Sequence, residues 1–172
     1  MRVVLLTGSN APSREAILKL AAELLEQRVG TITARSRIYA SQAWGFSSDE
    51  PFANQALVLD TNLSPLEVLD AALAVEQQVG RDRAREQQQK ELSGERYASR
   101  VVDVDVMFCD DEIISTPRLR VPHPLLHERE FALEPLCEIM GHYCHPVLGR
   151  SLQDIYRELK EKQSDITDET SL

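Results

Sequence analysis

The run Val101-Val102-Asp103-Val104-Asp105-Val106-Met107-Phe108 constrains the fold more than any other stretch of the chain. Apolar and acidic residues alternate with a period of two, the spacing of a β-strand whose successive side chains point to opposite faces. Val102, Val104, Val106 and Phe108 are therefore expected on one face, with Asp103 and Asp105 on the other. The valine face suits a core. Two like charges on neighbouring same-face positions of a central strand repel unless something positive lies between them. Magnesium takes hard oxygen ligands, typically one or two carboxylates plus substrate phosphates, and is the natural candidate. An edge strand with a solvated acidic face is the other reading of the same pattern.

The rest of the chain arranges helices and strands around this one. Val3 to Leu6 reads as a buried strand that halts in a turn at Gly8-Ser9-Asn10. Ile17, Leu20, Ala21, Leu24 and Leu25 recur at helical spacing between Ser13 and Val29, and Gly30 follows where a helix-ending glycine is expected. Thr31 to Ala40 alternates, with Ile32, Ala34 and Ile38 on one face, and Ala56 to Leu59 makes a further strand. Ser41 to Pro51 between them is a loop. Ser64-Pro65-Leu66-Glu67 combines a capping serine, a first-turn proline and a capping-box glutamate, so a helix is predicted from there to Val79, stopping at Gly80. Arg81 to Ser99 is polar, without an apolar period, and reads as a long functional or disordered loop.

The order strand, helix, strand, strand, helix, strand is that of a ferredoxin-like βαββαβ core in an α+β fold. Beyond it come a short Ile113-Ile114 strand, a turn at Val121-Pro122-His123-Pro124, a helix from about His127 to Met140 that Pro135 should break or kink, and a helix beginning at Ser151. The 172 residues make one domain over residues 1–160 and an acidic, frayed tail over 161–172.

Nineteen Lys and Arg against 28 Asp and Glu give a net charge of -9, which argues against bulk attraction to nucleic acid or an anionic membrane. An anionic ligand must instead meet a local basic cluster. Arg81, Arg83, Arg85, Lys90, Arg96, Arg100, Arg118, Arg120 and Arg129 form one in sequence, flanking the aspartates. A carboxylate pair beside arginines is what a magnesium–polyphosphate complex needs, since Arg forks bind the phosphate oxygens that the metal leaves. A solvated, salt-bridged loop is the alternative, because Asp82, Glu86, Glu91 and Glu95 are interleaved.

Phe52 and Asn54 suit stacking on, and hydrogen bonding to, a planar heterocycle, as do Phe131 and Tyr97, although an aromatic in such a sequence is more often core. His123, between two prolines, is held at a turn and suits a phosphate or leaving-group contact. His142 and His145 with Cys137 and Cys144 match no usual structural zinc spacing. The three cysteines read as free thiols in a reducing cytosol. No apolar run reaches the roughly 20 residues of a membrane span, and the run at residues 1–8 is short for a signal peptide. A cytoplasmic monomer is the expectation.

Together these residues resemble the 6-hydroxymethyl-7,8-dihydropterin pyrophosphokinases of folate biosynthesis. The similarity runs over about residues 1 to 155. Arg100-x-x-Asp103-Val104-Asp105 looks like the family's Arg-x-x-Asp-hydrophobic-Asp signature. Val121-Pro122-His123-Pro124, with Arg129-Glu130-Phe131 and Glu134-Pro135-Leu136, is similar to its second. Gly8-Ser9-Asn10, Phe52-x-Asn54 and Glu76-x-x-x-Gly80-Arg81-x-Arg83 follow the family's order.

The resemblance implies transfer of the β,γ-diphosphate of ATP to the pterin hydroxymethyl oxygen, leaving AMP. It implies that Asp103 and Asp105 hold two magnesium ions, with Arg83 and Arg100 as catalytic partners. Glu76, Arg81, Arg83, Arg100, Arg118, His123 and Arg129 fall around the nucleotide, and Ser41, Trp44, Phe52, Asn54, Tyr97 and Phe131 around the pterin. The segment after Arg83 is longer than in the shorter family members, and Tyr97 stands where those carry a lid tryptophan. Ser41-Gln42-Ala43-Trp44-Gly45-Phe46 replaces a proline-rich stretch. A lid over residues 84–98 is expected to close on ATP and exclude water. No residue stands out as a general base. A palm-like nucleotidyltransferase shares the paired aspartates but calls for a nucleic-acid or second-nucleotide partner. A ligand-binding regulatory module gives the aspartates and arginines no reason to coincide.

Overall fold

The computed structural model describes residues 1–41, 51–91 and 101–170, with side chains over 1–41, 51–80 and 101–165. In chain order the elements are β1 (Arg2–Ser9), α1 (Arg14–Arg28), β2 (Gly30–Arg35), β3 (Tyr39–Ser41), β4 (Phe52–Thr61), α2 (Pro65–Glu91), β5 (Asp103–Cys109), β6 (Ile114–Ser115), β7 (Arg120–Val121), α3 (Glu130–Met140) and α4 (Leu152–Thr170). A short 3-10 turn, Leu126–Glu128, precedes α3.

β2, β4, β1 and β5 lie side by side in that order, antiparallel throughout, and β3 pairs with the other end of β4. Each face of the sheet carries an apolar cluster. Val3 and Leu5 of β1, Leu57 and Leu59 of β4 and Val104 and Val106 of β5 pack under α1 and α2. Val4, Leu6, Ala56, Val58 and Phe108 pack on the opposite face, under Leu133 and Leu136 of α3 and Leu152 and Ile155 of α4. The chain is thus a mixed helix–sheet–helix sandwich. Because both faces are covered, β1 and β4 read as near-continuous apolar runs (Val3-Val4-Leu5-Leu6, Ala56-Leu57-Val58-Leu59) instead of alternating.

The elements differ from the sequence reading at several points, each with a local cause. Phe108 does not share a face with the valines. A register shift places Val4 opposite Phe108 and Leu5 opposite Val106, so the residue between them, Met107, is extra and the alternation restarts beyond it. A similar shift in β2 sends Ile32 to the α1/α2 face and Ala34 to the other. Thr31 to Ala40 is also two strands, with Ile38 exposed between them. Gly8 lies within β1, not in a turn, and Gly30 opens β2. A Cβ on Gly30 would stand 2.0 Å from the Asp60 carbonyl oxygen, so this glycine serves the close approach of β2 to β4.

The capping box forms as expected: Ser64 N donates to Glu67 Oε1 (3.1 Å) and Glu67 N to Ser64 Oγ (3.3 Å). The helix it starts does not stop at Gly80 but runs on to Glu91. Residues 81–91 are mostly Arg, Glu, Gln and Lys, strong helix formers, so helix propensity carries the helix on where the apolar period stops. α3 likewise runs through Pro135 to Met140. α4, capped by Ser151 Oγ accepting from Asp154 N (3.1 Å), continues through residues 161–170 of the expected frayed tail.

Candidate active site

The candidate centre lies on the α3/α4 face of the sheet, at the end of β1 that carries Gly8. Gly8 of β1 is flanked by Asn54 of β4 on one side and Asp103 of β5 on the other. One step further along, Leu6 is flanked by Ala56 and Asp105. Leu6 and Ala56 belong to the cluster under α3 and α4 while Val104 points the other way, so both aspartates project to this face, half-buried.

Gly8 leaves room for its neighbour. A Cβ there would come within 2.7 Å of Asn54 Oδ1, so the buried Asn54 amide lies across the bare glycine backbone. The other end of that amide is fixed as well: Nδ2 donates to Ser41 Oγ of β3 at 3.2 Å. Phe52, opposite Ser41 and two residues before Asn54, shares its face. Behind the row, Ser9 Oγ donates to the Val101 carbonyl (2.6 Å) and accepts from Ala11 N (3.2 Å), pinning the chain as it enters β5.

Glu76 reaches β5 from α2. Its Oε2 accepts the Val104 N–H at 3.2 Å, the peptide between the two aspartates on the sheet's outer edge. His123 closes the centre from the turn after β7. Its backbone N donates to the Met107 carbonyl (3.1 Å), and its Nδ1 accepts from Leu125 N (3.3 Å). Nε2 is then the protonated nitrogen of the neutral ring. Burial holds the His123 pKa below the ordinary histidine value; Asp105 opposes this and Arg129 reinforces it, which places all three groups within electrostatic reach. The Arg129 carbonyl accepts from Ala132 N and Leu133 N at the start of α3, and its guanidinium lies 5.6 Å from the centre of the Phe131 ring.

Asp103, Asp105, Asn54, Ser41, Phe52, His123, Arg129, Phe131 and Glu76 are thus brought to one end of the sheet. Arg118 is turned elsewhere: on the β6–β7 turn, its Nη2 pairs with Asp70 Oδ1 of α2 at 2.5 Å, with both side chains exposed. Arg81 and Arg83 lie on α2 past Gly80, with side chains outside the described set. Trp44, Tyr97 and Arg100, and the 92–98 part of the expected lid, lie outside the described residues.

Among the described residues no group of three or more His, Cys, Asp or Glu is placed to hold a metal ion. His145 is structural: its Nδ1 accepts from Val147 N (3.2 Å) and Leu148 N (3.1 Å), and burial lowers its pKa. All three cysteines are free thiols, and burial pushes Cys109 and Cys137 up to about 11. No described helix is long and apolar enough to cross a membrane.

Residues 4–141 match the family model of 7,8-dihydro-6-hydroxymethylpterin-pyrophosphokinase (HPPK). The chain belongs to the HPPK family. The curated 2-amino-4-hydroxy-6-hydroxymethyldihydropteridine pyrophosphokinase of Aquifex aeolicus is 36% identical over 151 residues, 88% of each chain. The Porphyromonas gingivalis protein of that name is 32% identical over 145 residues, 84% of this chain and 93% of the relative. Among solved structures, a crystal structure of HPPK-DHPS in complex with substrates superposes with a TM-score of 0.71 at 15% identity over 95% of this chain. Plasmodium falciparum HPPK-DHPS with pteroate gives 0.71 at 14% over 97%. This chain spans 44% of those longer chains, and at such identity the likeness concerns the fold. The HPPK match ends at residue 141 and so takes in the whole candidate centre, but not α4.

Three features of the centre escape sequence reasoning. Gly8 is read as a turn residue, the Ser9–Val101 contact joins residues far apart in the chain, and Glu76 bonds to a backbone N–H that no motif specifies.

Proposed function

We propose that this HPPK family member transfers the β,γ-diphosphate of ATP to the hydroxymethyl oxygen of 6-hydroxymethyl-7,8-dihydropterin, giving AMP and the pterin diphosphate in folate biosynthesis. The observation that carries this reading is the row Asn54–Gly8–Asp103, which sets a heterocycle-binding amide and an acidic pair side by side on one sheet face. Asn54, fixed by Ser41, is the hydrogen-bonding group for the pterin edge, with the rings of Phe52 and Phe131 on the pterin faces; Trp44 and Tyr97 are assigned to the pterin on the family resemblance alone.

Magnesium fits the donor set. Asp103 and Asp105 supply hard oxygens, and two carboxylates alone leave most of an octahedral shell to phosphate oxygens and water, the usual magnesium arrangement at polyphosphates. Two ions held there would lower the charge on the triphosphate and acidify the attacking hydroxyl. His123 offers its Nε2–H to a phosphate oxygen, Arg129 adds a guanidinium fork beside it, and Glu76 steadies the strand that carries both aspartates. Arg81, Arg83 and Arg100 are assigned to the triphosphate on the family resemblance; Arg118 would join them only by exchanging its exposed Asp70 partner for a phosphate. With no covalent intermediate, catalysis here is positioning and electrostatics.

The chain order β1, α1, β2, β4, α2, β5 with sheet order β2-β4-β1-β5 supports a ferredoxin-like core, and the sheet shared by both apolar clusters supports one catalytic domain over residues 1–160. Free thiols fit a reducing compartment and so a cytoplasmic enzyme. The reading is tested by ³¹P NMR of a reaction containing ATP, magnesium and hydroxymethyldihydropterin. AMP and pterin diphosphate in equal amounts are expected. ADP with a pterin monophosphate, or no product from folded protein, would overturn it.

A further inference from the structure

Near the C-terminal end of α3, three donors from a single segment converge on the Glu138 carboxylate. Arg37 donates from its backbone N to Oε2 (2.8 Å) and from Nε to Oε1 (2.7 Å), and the Tyr39 hydroxyl donates to Oε1 (2.8 Å). Arg37 Nη2 closes the network on the Tyr39 hydroxyl at 3.2 Å, with the guanidinium 5.5 Å from the centre of that ring. The Arg37 bond holds the Glu138 carboxyl below its ordinary pKa, as expected for an acceptor of charge-assisted bonds.

The segment so anchored leads into the wall of the candidate pocket. Upstream, Ser36 is locked to β4: Ser36 N donates to the Ala56 carbonyl, Ala56 N to Ser36 Oγ, and Gln55 Nε2 to the Ser36 carbonyl. Downstream, β3 is three residues long and, among the described residues, pairs with β4 alone, placing Tyr39 opposite Asn54 and Ser41 opposite Phe52. So short a strand has few ladder bonds of its own to fix it. Between the two stretches, Arg37 and Ile38 are exposed, and Glu138 is what the exposed stretch is tied to. Ser41, at the end of β3, then receives Asn54 Nδ2. The same helix carries Phe131 in its first turn, so α3 touches the centre at one end and braces β3 at the other.

We infer that Glu138 is a positioning residue for pterin binding: it seats β3 against β4 and thereby sets the Ser41–Asn54 pair. This rests on the assignment of Asn54 to the pterin given above. An exposed Arg–Glu pair of this kind, 80% and 25% accessible, contributes little to global stability. Its effect should therefore show in the substrate, not in the melt.

The test measures pterin affinity by calorimetry in the presence of a non-hydrolysable ATP analogue, steady-state kinetics with each substrate varied, and melting curves. The variants are Glu138→Ala and Arg37→Lys. In Glu138→Ala the pterin Kd and KM should rise about tenfold, the strength of one good hydrogen bond, with kcat and the ATP KM within about twofold of wild type. Arg37→Lys keeps the backbone donor and the charge but loses the Nε fork, so its pterin affinity should lie between the two. An unchanged pterin Kd in Glu138→Ala overturns the inference. So does a parallel loss of kcat and ATP affinity with a lowered melting temperature, which would make the residue a general brace. Wild type that binds pterin but makes no pterin diphosphate would instead defeat the proposed activity, and the Kd comparison would still decide the role of Glu138.

Discussion

At the scale of single residues, the centre depends as much on an absent side chain as on those present. Gly8 has Asn54 on one side and Asp103 on the other, and the Asn54 amide occupies the space a Cβ would need. Gly8→Ala should therefore push the amide off Ser41 and weaken pterin binding several-fold, at a cost in stability of about 1–3 kcal/mol, the usual range for overpacking. Calorimetry and thermal melts check this together; wild-type affinity would mean that Asn54 is not where the pterin binds. The two aspartates are legible in the sequence because the period-two pattern by itself sends them to one face. Gly8 is misread because Gly-Ser-Asn has turn chemistry, and its real constraint is a cross-strand neighbour that no local pattern encodes. Phe108 is misassigned for a related reason: the extra residue between Val106 and Phe108 reverses the alternation without leaving a mark in composition.

Among the elements, β5 and α2 act as a pair. β5 presents the aspartates to one face and its valines to the other. α2 covers the valines and sends Glu76 around the edge to the Val104 N–H. Removing that acceptor in Glu76→Ala frees the peptide between the aspartates. kcat should fall about tenfold with little change in melting temperature, whereas Glu76→Gln, which keeps a carbonyl acceptor, should recover much of it. Equal losses in both variants would show that the carboxylate charge matters and the bond to Val104 does not. The start of α2 is legible because Ser64 and Glu67 form a local capping box. Its end is not, because Gly80 mimics a stop signal while residues 81–91 keep to helix formers without an apolar face. Gly30 deceives in the same way, resembling a helix terminus when the constraint is the Asp60 carbonyl across the sheet.

For the whole molecule, a sheet with an apolar cluster on each face gathers its buried and half-buried polar row at one end of the α3/α4 face. Asp103 and Asp105, Asn54, His123 and Arg129 gather there from four separate parts of the chain. The order of elements and most of the centre's membership are legible from sequence, since alternation, capping and the proline-flanked histidine are local signals. The braces are not: Ser9 to Val101, Glu76 to Val104 and Glu138 to Arg37 each join distant stretches through a backbone group, which carries no sequence signature. The net charge of -9 is likewise a property of the whole chain and says little about this end of the sheet, where a histidine and an arginine stand beside the carboxylates. On the proposed function, Asp103 and Asp105 are present for catalysis and not for folding. Single-turnover AMP formation by Asp103→Asn and Asp105→Asn, which remove the charge and keep the shape, tests it most directly. Each should lose a hundredfold or more, about the loss from removing one electrostatic stabiliser of a transition state, with a melting temperature no lower than that of wild type. Near-wild-type turnover in either variant, or a loss of activity that tracks a loss of fold, would contradict it.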